Sequence, residues 1–187
     1  MRLVLATRNP HKIREFGRLL PEHEVVALPD GVELPPETGA TFADNALPKA
    51  RAAARATGAP AIADDSGIEA QALGGAPGVR SARYAGPGAT DAANLDKLRA
   101  EAPPGSELAY VCALAYVDGE TELVFEGRCT GWMASEPRGA GGFGYDPVFL
   151  PDDGDGARTM AELSDSEKDA ISHRGRAARA LLAWLHG

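Results

Sequence analysis

Cysteine and long hydrophobic runs are both scarce in this sequence. The two cysteines, Cys112 and Cys129, form neither a CxxC pair nor a Cys/His spacing, which argues against a metal site built on cysteine. No apolar run approaches the roughly 20 residues that a membrane span needs, and the N-terminal apolar stretch is too short for the core of a signal peptide. We therefore expect a cytoplasmic protein with reduced thiols and no membrane partner.

Basic residues are also scarce relative to acidic ones, with 19 Lys and Arg against 27 Asp and Glu. The formal net charge is −8, which excludes a nucleic-acid binder that works by bulk attraction. Only four of the 19 basic residues are lysines, namely Lys12, Lys49, Lys97 and Lys168. Because an ammonium is a compact point charge and a guanidinium is a planar fork, each lysine of this arginine-rich chain is a candidate for a specific role. The length predicts a single domain over residues 1–187.

Short apolar runs alternate with helical periodicity, which predicts an α/β fold. Asn9-Pro10 is typical of a helix start, with asparagine as the N-cap and proline at the first helical position. A second helix is expected to begin at Thr41, and Pro48 inside it is expected to kink or restart it. Asp118-Gly119 predicts a hairpin turn, so the sheet is expected to be mixed. The last helix is expected to start at Ser164, with Ser172 as an alternative start.

Two segments place polar side chains where apolar strands end. Thr7–Lys12 lies at a strand-to-helix turn, where free backbone N–H groups and the helix dipole favour an anion; a simple capped turn is the alternative. Asp64 and Asp65 follow the apolar run Pro60–Ala63, so we expect at least one of them at a sheet edge near the core. Adjacent carboxylates repel each other unless a cation relieves them, and a divalent metal with phosphate ligands is the usual solution. An acidic turn is the alternative.

Weaker signals lie on two helices and in a glycine-rich segment. Thr41, Asn45 and Lys49 form a polar stripe with a spacing of four, which is more often a solvated face than a site. Lys168 and Ser172–Arg174 form a candidate anion or nucleobase site, with an ordinary exposed helix start as the alternative. The aromatic residues of Gly139–Tyr145 can contact a base. On an acidic protein, these clusters together favour a nucleoside triphosphate site.

Gly139–Gly144 matches GxGxxG, the fingerprint of dinucleotide-binding folds. That motif works only when a strand precedes it and a helix follows it, because the helix N-terminus binds the pyrophosphate. Asp146-Pro147 and Pro151 follow here, so no helix is expected. An NAD-dependent oxidoreductase is therefore a weak alternative, and a glycine turn that lies close to a ligand is the better interpretation.

Six segments together resemble the inosine/xanthosine triphosphate pyrophosphatase family. They occur in the family's order and span the chain: LATRNPHK, ETGATFADNALPKA, PAIADDSG, LGGAPGVRSARYAG, GGFGYDPVF and ELSDSEKDAISHRG. The resemblance implies an α/β fold with a mixed elongated central sheet, flanking helices and two lobes around a cleft, usually as a homodimer. It implies Mg²⁺-dependent hydrolysis of aberrant purine nucleoside triphosphates (ITP, dITP and XTP) to the monophosphate and pyrophosphate, which keeps them out of DNA and RNA.

The resemblance also implies roles for individual residues. Asp65 would be the catalytic base and a metal ligand, with Asp64 and Glu37 supporting the metal. Many members of the family have two acids where this chain has Pro36-Glu37, so the acid position that meets the metal stays open. The residues expected to bind substrate are Thr7, Arg8, Asn9, Pro10, His11, Lys12, Lys49, Ser66, Phe143, Gly144, Tyr145, Asp146, Lys168, His173 and Arg174.

Within that set, the Thr7–Lys12 turn, Lys49 and Lys168 would contact phosphate, and Phe143–Asp146 with His173-Arg174 would hold the purine. A non-enzymatic purine-nucleotide binder on the same fold is the main alternative. The acid pair beside the lysines argues against it, because a binder needs no base near the phosphates.

Overall fold

The computed structural model describes every residue from Met1 to Gly187 and has a mixed α/β architecture. The strands are β1 Arg2–Leu5, β2 Glu24–Ala27, β3 Ala61–Ala70, β4 Glu107–Asp118, β5 Thr121–Met133 and β6 Phe149–Pro151. The α-helices are α1 Pro10–Leu19, α2 Phe42–Thr57, α3 Asp91–Glu101, α4 Asp165–Ile171 and α5 His173–His186. Short 3₁₀ turns cover Gln71–Leu73, Gly78–Arg83, Asp146–Val148 and Met160–Glu162.

The six strands form one sheet in the order β2-β1-β3-β4-β5-β6. Strand β1 is parallel to both of its neighbours, whereas β5 and β6 are antiparallel, so the prediction of a mixed sheet with flanking helices is confirmed. The register between β1 and β3 ends at Leu5 and Ile62. Strand β3 continues to Ala70 after β1 has ended, and its acidic residues lie in this second part.

The chain divides into two compact units, and each has its own apolar core. The first unit comprises residues 1–65, 112–127 and 174–187, and its core contains Leu3, Leu5, Phe16, Leu20, Ile62, Cys112, Leu114, Tyr116, Ala177, Ala178 and Leu181. The second unit comprises residues 66–111 and 128–173, and its core contains Ile68, Ala70, Leu98, Ala102, Leu108, Tyr110, Cys129, Met133, Tyr145, Val148, Phe149 and Met160.

The predicted helix starts are confirmed. The side chain of Asn9 accepts hydrogen bonds from the backbone N–H groups of His11 and Lys12, and Pro10 occupies the first helical position. Thr41 and Asp44 form both halves of a capping box at the start of α2. These contacts satisfy N–H groups that have no partner within the helix, which is why the local sequence is enough to place each start.

Of the two outcomes predicted for Pro48, the restart of the helix is wrong, and the kink stays a prediction. Helix α2 runs unbroken from Phe42 to Thr57 with Pro48 inside it. Proline removes the backbone bond to the carbonyl of residue 44, which weakens the helix locally. The helix persists because a buried alanine face, Ala46, Ala50 and Ala53, packs against the rest of the first unit.

The C-terminal helical region is divided in two. Ser164 and Glu167 form the predicted capping box of α4. The backbone of Ser172 is extended and ends α4, so α5 begins at His173, as the alternative start predicted.

None of the helices combines the length and the apolar composition that crossing a bilayer requires.

We expect Gly131→Ala to destabilise the fold. A Cβ at Gly131 would lie 2.2 Å from the carbonyl oxygen of Leu150 and 2.8 Å from the ring of Phe149, so β5 and β6 would have to separate. Overpacking of this kind costs about 1–3 kcal/mol, measurable as the free energy of unfolding in urea. Gly17→Ala is the matched control, because no atom lies within 4 Å of a Cβ on that exposed position of α1. It should stabilise by up to about 1 kcal/mol, and equal stability of the two variants would contradict the prediction.

Candidate active site

Strand β3 directs its two adjacent acids to opposite faces of the sheet. Asp64 contacts Lys12 of α1 and Arg174 of α5, whereas Asp65 contacts residues of α2. This separation follows from the alternation of side chains along a strand. The expectation that a sheet edge holds one of these acids is wrong, because β3 is an interior strand of the sheet. The acids therefore occupy two different electrostatic environments.

Asp64 is a buried carboxylate whose partners favour its ionised form. Its side chain is 0% exposed, and its Oδ2 lies 2.9 Å from the Nζ of Lys12 and 3.0 Å from the Nε of Arg174. The thiol of Cys112 donates to the other oxygen at 3.2 Å. Burial by itself would raise the pKa of Asp64, but Lys12 and Arg174 outweigh it and hold that pKa well below its ordinary value.

Arg174 is buried and joins a second acid to this cluster. Its Nη1 lies 3.0 Å from the Oε2 of Glu15, and its Nε contacts Asp64. Sequence reasoning missed Glu15 and Cys112. The signal for Glu15 was its position three residues after Lys12, which places both on one side of α1. For Cys112, no sequence signal distinguishes it from an ordinary core residue, and burial raises the pKa of its thiol well above the usual value.

Asp65 is held by two donors from α2. The Nδ2 of Asn45 donates to its Oδ2 at 3.1 Å, and the Nζ of Lys49 lies 3.3 Å from its Oδ1. The same ammonium lies 2.7 Å from the Oε1 of Glu37. Burial raises the pKa of Asp65 above its ordinary value and the charge of Glu37 adds to this, while Lys49 and Asn45 oppose it. Asp65 is therefore the easier of the two adjacent acids to protonate.

The polar stripe on α2 is part of this cluster, so the interpretation of it as a solvated face is wrong. Thr41 caps the helix, but Asn45 is only 3% exposed and Lys49 only 5%. Burial opposes the charge on Lys49, yet Asp65 and Glu37 outweigh it and raise the pKa of this lysine. The spacing of four was the correct signal, and only the packing of α2 on β3 shows which way the stripe faces.

The first turn of α1 adds a second lysine, Lys12, beside Lys49. The hydroxyl of Thr7 accepts from the N–H of Asn9, and Asn9 in turn caps the helix. The Nζ atoms of Lys12 and Lys49 both donate to the backbone carbonyl of Asp64, at 3.3 and 3.1 Å. Two ammonium groups thus converge on one peptide group of β3.

Arg8, which precedes α1, contacts backbone carbonyls of the chain and not the acidic cluster. Its guanidinium donates to the backbone carbonyls of Leu28, Pro29 and Val32 at 2.8, 2.9 and 3.1 Å. It therefore holds the start of the loop that connects β2 to α2. A contact between Arg8 and substrate stays a prediction.

In the second unit, Lys168 and Asp146 form a buried ion pair. The Nζ of Lys168 lies 2.8 Å from the Oδ2 of Asp146, and the hydroxyl of Tyr110 donates to its Oδ1 at 2.9 Å. The N–H of Phe143 also binds Asp146, and the ammonium lies 5.2 Å from the centre of the Phe143 ring. A Cβ at Gly142 would lie 1.9 Å from the Oδ2 of Asp146, so the glycine segment lies directly against this pair.

Three further residues that were predicted to bind substrate lie in the second unit. His173 stacks on Tyr110 with ring centres 4.7 Å apart. Tyr145 is part of the core, and its hydroxyl donates to the carbonyl of Ser81 at 2.6 Å. Ser66 follows Asp65 in β3 and is half-buried. The glycine segment leads into a 3₁₀ turn and not an α-helix, so the condition for a dinucleotide fingerprint is not met.

The structure sorts the residues of the sequence prediction into two groups. The first unit contains Thr7, Arg8, Asn9, Pro10, His11, Lys12, Glu37, Lys49, Asp64, Asp65 and Arg174. The second unit contains Ser66, Phe143, Gly144, Tyr145, Asp146, Lys168 and His173. Lys168, expected on phosphate, lies among the residues expected to hold the purine, and Arg174, expected on the purine, is ion-paired with Asp64.

The donor set around Lys49 fits a hard divalent cation. Asp65 and Glu37 present two carboxylates to one ammonium, and Mg²⁺ is commonly held by one or two carboxylates together with substrate phosphates. No group of three or more His, Cys, Asp or Glu side chains is arranged to hold a metal by itself. The carboxylate of Asp64 is fully buried with its own partners, so its geometry gives no support to its predicted part in metal binding.

Comparison with known proteins places these residues in a family context. The model of the Ham1 family matches residues 3–184. A dITP/XTP pyrophosphatase of Erwinia tasmaniensis is 51% identical over 197 residues, with 99% of this chain and 95% of the relative covered. The proteins of the same name from Yersinia pseudotuberculosis and Streptomyces avermitilis are 50% and 51% identical, and at least 95% of each chain is covered.

Solved structures agree with the sequence comparison. A HAM1 protein from Coxiella burnetii has a TM-score of 0.87 at 42% identity and covers 100% of this chain, with 98% of its own chain matched. The Ham1 protein of Staphylococcus aureus has a TM-score of 0.84 at 38% identity, with coverage of 100% and 99%. The fold and the sequence thus point to the same relatives.

We expect Asp64→Asn to destabilise the protein strongly, because it leaves the buried Arg174 and the half-buried Lys12 next to a neutral amide. Removing one partner of a buried charge cluster costs about 3–5 kcal/mol, measurable by urea unfolding at neutral pH. Asp155→Asn is the control, since Asp155 pairs with Arg158 at the surface, where solvent screens the charges and the loss of the pair should cost little stability. An equal loss of unfolding free energy in the two variants would show that the buried cluster contributes no more to stability than the surface pair.

The same cluster predicts a dependence on pH. Because the pKa of Asp64 is depressed in the folded state, its stabilisation is complete above the unfolded value of about 3.9 and is lost as the pH falls through the folded value. The difference in unfolding free energy between wild type and Asp64→Asn should therefore shrink in strong acid. A difference that is constant down to the acid limit of folding would contradict this.

Proposed function

The chain belongs to the Ham1 family, and from this premise we propose that it hydrolyses the triphosphates of non-canonical purine nucleosides to the monophosphate and pyrophosphate. ITP, dITP and XTP are the proposed substrates. The observation that carries the proposal is about 50% identity to curated dITP/XTP pyrophosphatases over almost the whole of both chains. The cluster of Asp65, Lys49 and Glu37 supports it, because it combines a candidate base with positive charge.

Asp65 is the proposed general base. Hydrolysis adds a water molecule across the α–β phosphoanhydride: the water oxygen bonds to phosphorus, the anhydride bond breaks, and pyrophosphate leaves. The water must lose a proton, and a carboxylate within reach typically contributes about 10²- to 10⁴-fold to such a step. The raised pKa of Asp65 suits it to accept that proton, whereas Asp64, with its depressed pKa, remains a counter-ion.

Lys12 and Lys49 are the proposed phosphate ligands of the first unit. Both ammonium groups meet at the carbonyl of Asp64, and the N-terminus of α1 follows directly. A triphosphate is a polyanion, so positive charge that is already in place stabilises the charge that develops on the reacting phosphate. The raised pKa of Lys49 keeps this side chain protonated throughout the working range.

A divalent cation, Mg²⁺ by the resemblance, would be held by Asp65 and Glu37. When bound, such an ion neutralises phosphate charge and polarises the anhydride. Asp64 is proposed to act indirectly, by fixing Lys12 and Arg174 in place.

In the second unit, Phe143–Asp146 and His173 are the proposed contacts to the purine. The half-buried Phe143 offers a ring face, and the buried pair of Lys168 and Asp146 offers a donor and an acceptor. A site that hydrogen-bonds a 6-oxo group leaves buried groups unpaired against a 6-amino purine, a penalty that can reach about 10⁴-fold. This supports discrimination against ATP.

The resemblance further supports a cytoplasmic homodimer, and sedimentation velocity of the purified protein tests the oligomeric state. A monomer at micromolar concentration would contradict that part of the proposal.

The decisive assay measures pyrophosphate and monophosphate released from ITP, dITP, XTP, GTP and ATP, with Mg²⁺ and with a chelator. We expect metal-dependent release from the first three and much slower turnover of GTP and ATP. Tight binding of ITP without any product would instead favour a nucleotide sensor. Release of single phosphates would overturn the proposed bond cleavage.

Asp65→Asn should reduce kcat by about 10²- to 10⁴-fold, because the amide cannot accept the proton of water. Circular dichroism and the melting temperature check that the variant is folded. Asp155→Asn, far along the sequence at an exposed pair, serves as the control and should keep its activity. Turnover near the wild-type rate in Asp65→Asn would remove Asp65 from the role of base.

A further inference from the structure

Asn45 is a single buried amide that touches two parts of the cluster at once. Its Oδ1 accepts a hydrogen bond of 2.7 Å from the N–H of Gly39, and its Nδ2 donates to Asp65 at 3.1 Å. The two contacts fix the orientation of the amide, because a backbone N–H can only donate and an ionised carboxylate can only accept. Asn45 is thus the link between Asp65 and the segment that contains Gly39.

Gly39 belongs to the loop of residues 28–40, which connects β2 to α2 without helix or strand. We call this segment the Glu37 loop, because Glu37 lies two residues before Gly39 and contacts Lys49. The guanidinium of Arg8 holds the beginning of the loop by three backbone carbonyls. The amide of Asn45 holds its end.

The loop approaches α2 too closely for a side chain at position 39. A Cβ there would lie 2.8 Å from the Oδ1 of Asn45 and 2.5 Å from the Cβ of Asp44. Glycine therefore allows the short hydrogen bond to Asn45, and this bond in turn sets how near the loop comes to the helix.

Asn45 and Lys49 lie one helical turn apart, and each holds one oxygen of Asp65. Lys49 also binds Glu37, so the two side chains of α2 join Asp65 to the Glu37 loop twice: through an ammonium to Glu37 and through an amide to the backbone at Gly39. The ammonium tolerates many directions of approach, whereas the amide has one donor side and one acceptor side. The amide is therefore the contact that specifies geometry.

We propose that Asn45 is a positioning residue for the hydrolysis: its amide orients the carboxylate of Asp65 and, through Gly39, latches the Glu37 loop beside it. The role rests on the proposed function, since it matters for the reaction only if Asp65 acts there. Misplacement of a reacting group by about 1 Å can cost about a hundredfold in rate, so the loss of this amide should lower kcat.

Two substitutions separate the halves of the contact. Asn45→Asp keeps an oxygen that can accept from Gly39 but has no donor for Asp65, whereas Asn45→Ala removes both. Asn94→Ala is the matched control: Asn94 is 2% exposed, and its amide bonds the backbone at Ala82 and Ala85 and touches no carboxylate. Hydrogen exchange of the Gly39 amide is followed by NMR in parallel with kcat, KM and the melting temperature.

In Asn45→Ala, the Gly39 amide should exchange about tenfold faster, since one hydrogen bond is lost, and kcat should fall about 10- to 100-fold with a smaller change in KM. In Asn45→Asp, the Gly39 amide should stay protected while kcat falls. Asn94→Ala should lose stability but keep kcat and the protection of Gly39.

Four results would overturn the proposal or one of its parts. If the hydrogen-exchange rate of the Gly39 amide is unchanged in Asn45→Ala, Asn45 does not hold the Glu37 loop. If the wild-type enzyme is active and kcat is unchanged in both Asn45 variants, the positioning role is wrong but the proposed function stands. The same conclusion follows if kcat falls equally in Asn94→Ala. A wild-type protein that releases no pyrophosphate overturns the proposed function, and with it the role that rests on it.

Discussion

The burial of one carboxylate, that of Asp64, is the constraint on which the first unit depends. A buried charge is tolerated only when cations and hydrogen bonds replace the water that it has lost. Lys12 and Arg174 supply that charge, and they come from helices at opposite ends of the chain. The same requirement thus ties α1 and α5 to β3 and fixes Lys12 in the turn that is proposed to meet phosphate.

Adjacent side chains of a β-strand point to opposite faces of the sheet, and this gives Asp64 and Asp65 different surroundings. Because adjacent side chains point to opposite faces, the carboxylate of Asp65 contacts Asn45 and Lys49 of α2 and makes no ion pair with Arg174. Asp64 is stabilised as an anion, while the pKa of its neighbour is raised. Two carboxylates that are adjacent in sequence therefore have different electrostatic environments, and the repulsion between them is smaller than it would be on one face.

Local signals in the sequence were reliable where a nearby backbone group decided the outcome. Asn9 and Thr41 were predicted as caps and are caps, since each bonds N–H groups two or three residues away. Pro48 does not restart α2 as one of the two predicted outcomes required, because tertiary packing of the alanine face outweighs one lost hydrogen bond. The stripe of Asn45 and Lys49 was predicted to be a solvated face, but both side chains are buried. The spacing correctly placed them on one side of α2, but spacing alone does not show whether that side faces solvent or the sheet.

The sequence by itself determined the mixed α/β class, the helix starts, the identity of the acids and lysines, and the six segments that resemble one family. These depend on residue type and on contacts within a few positions. Only the tertiary structure decided which cation meets which acid, that Glu15 completes the cluster at Arg174, and that Lys168 pairs with Asp146. Such partners are 12 to 159 residues apart in the chain, and packing of helices on the sheet, which no local pattern encodes, brings them together.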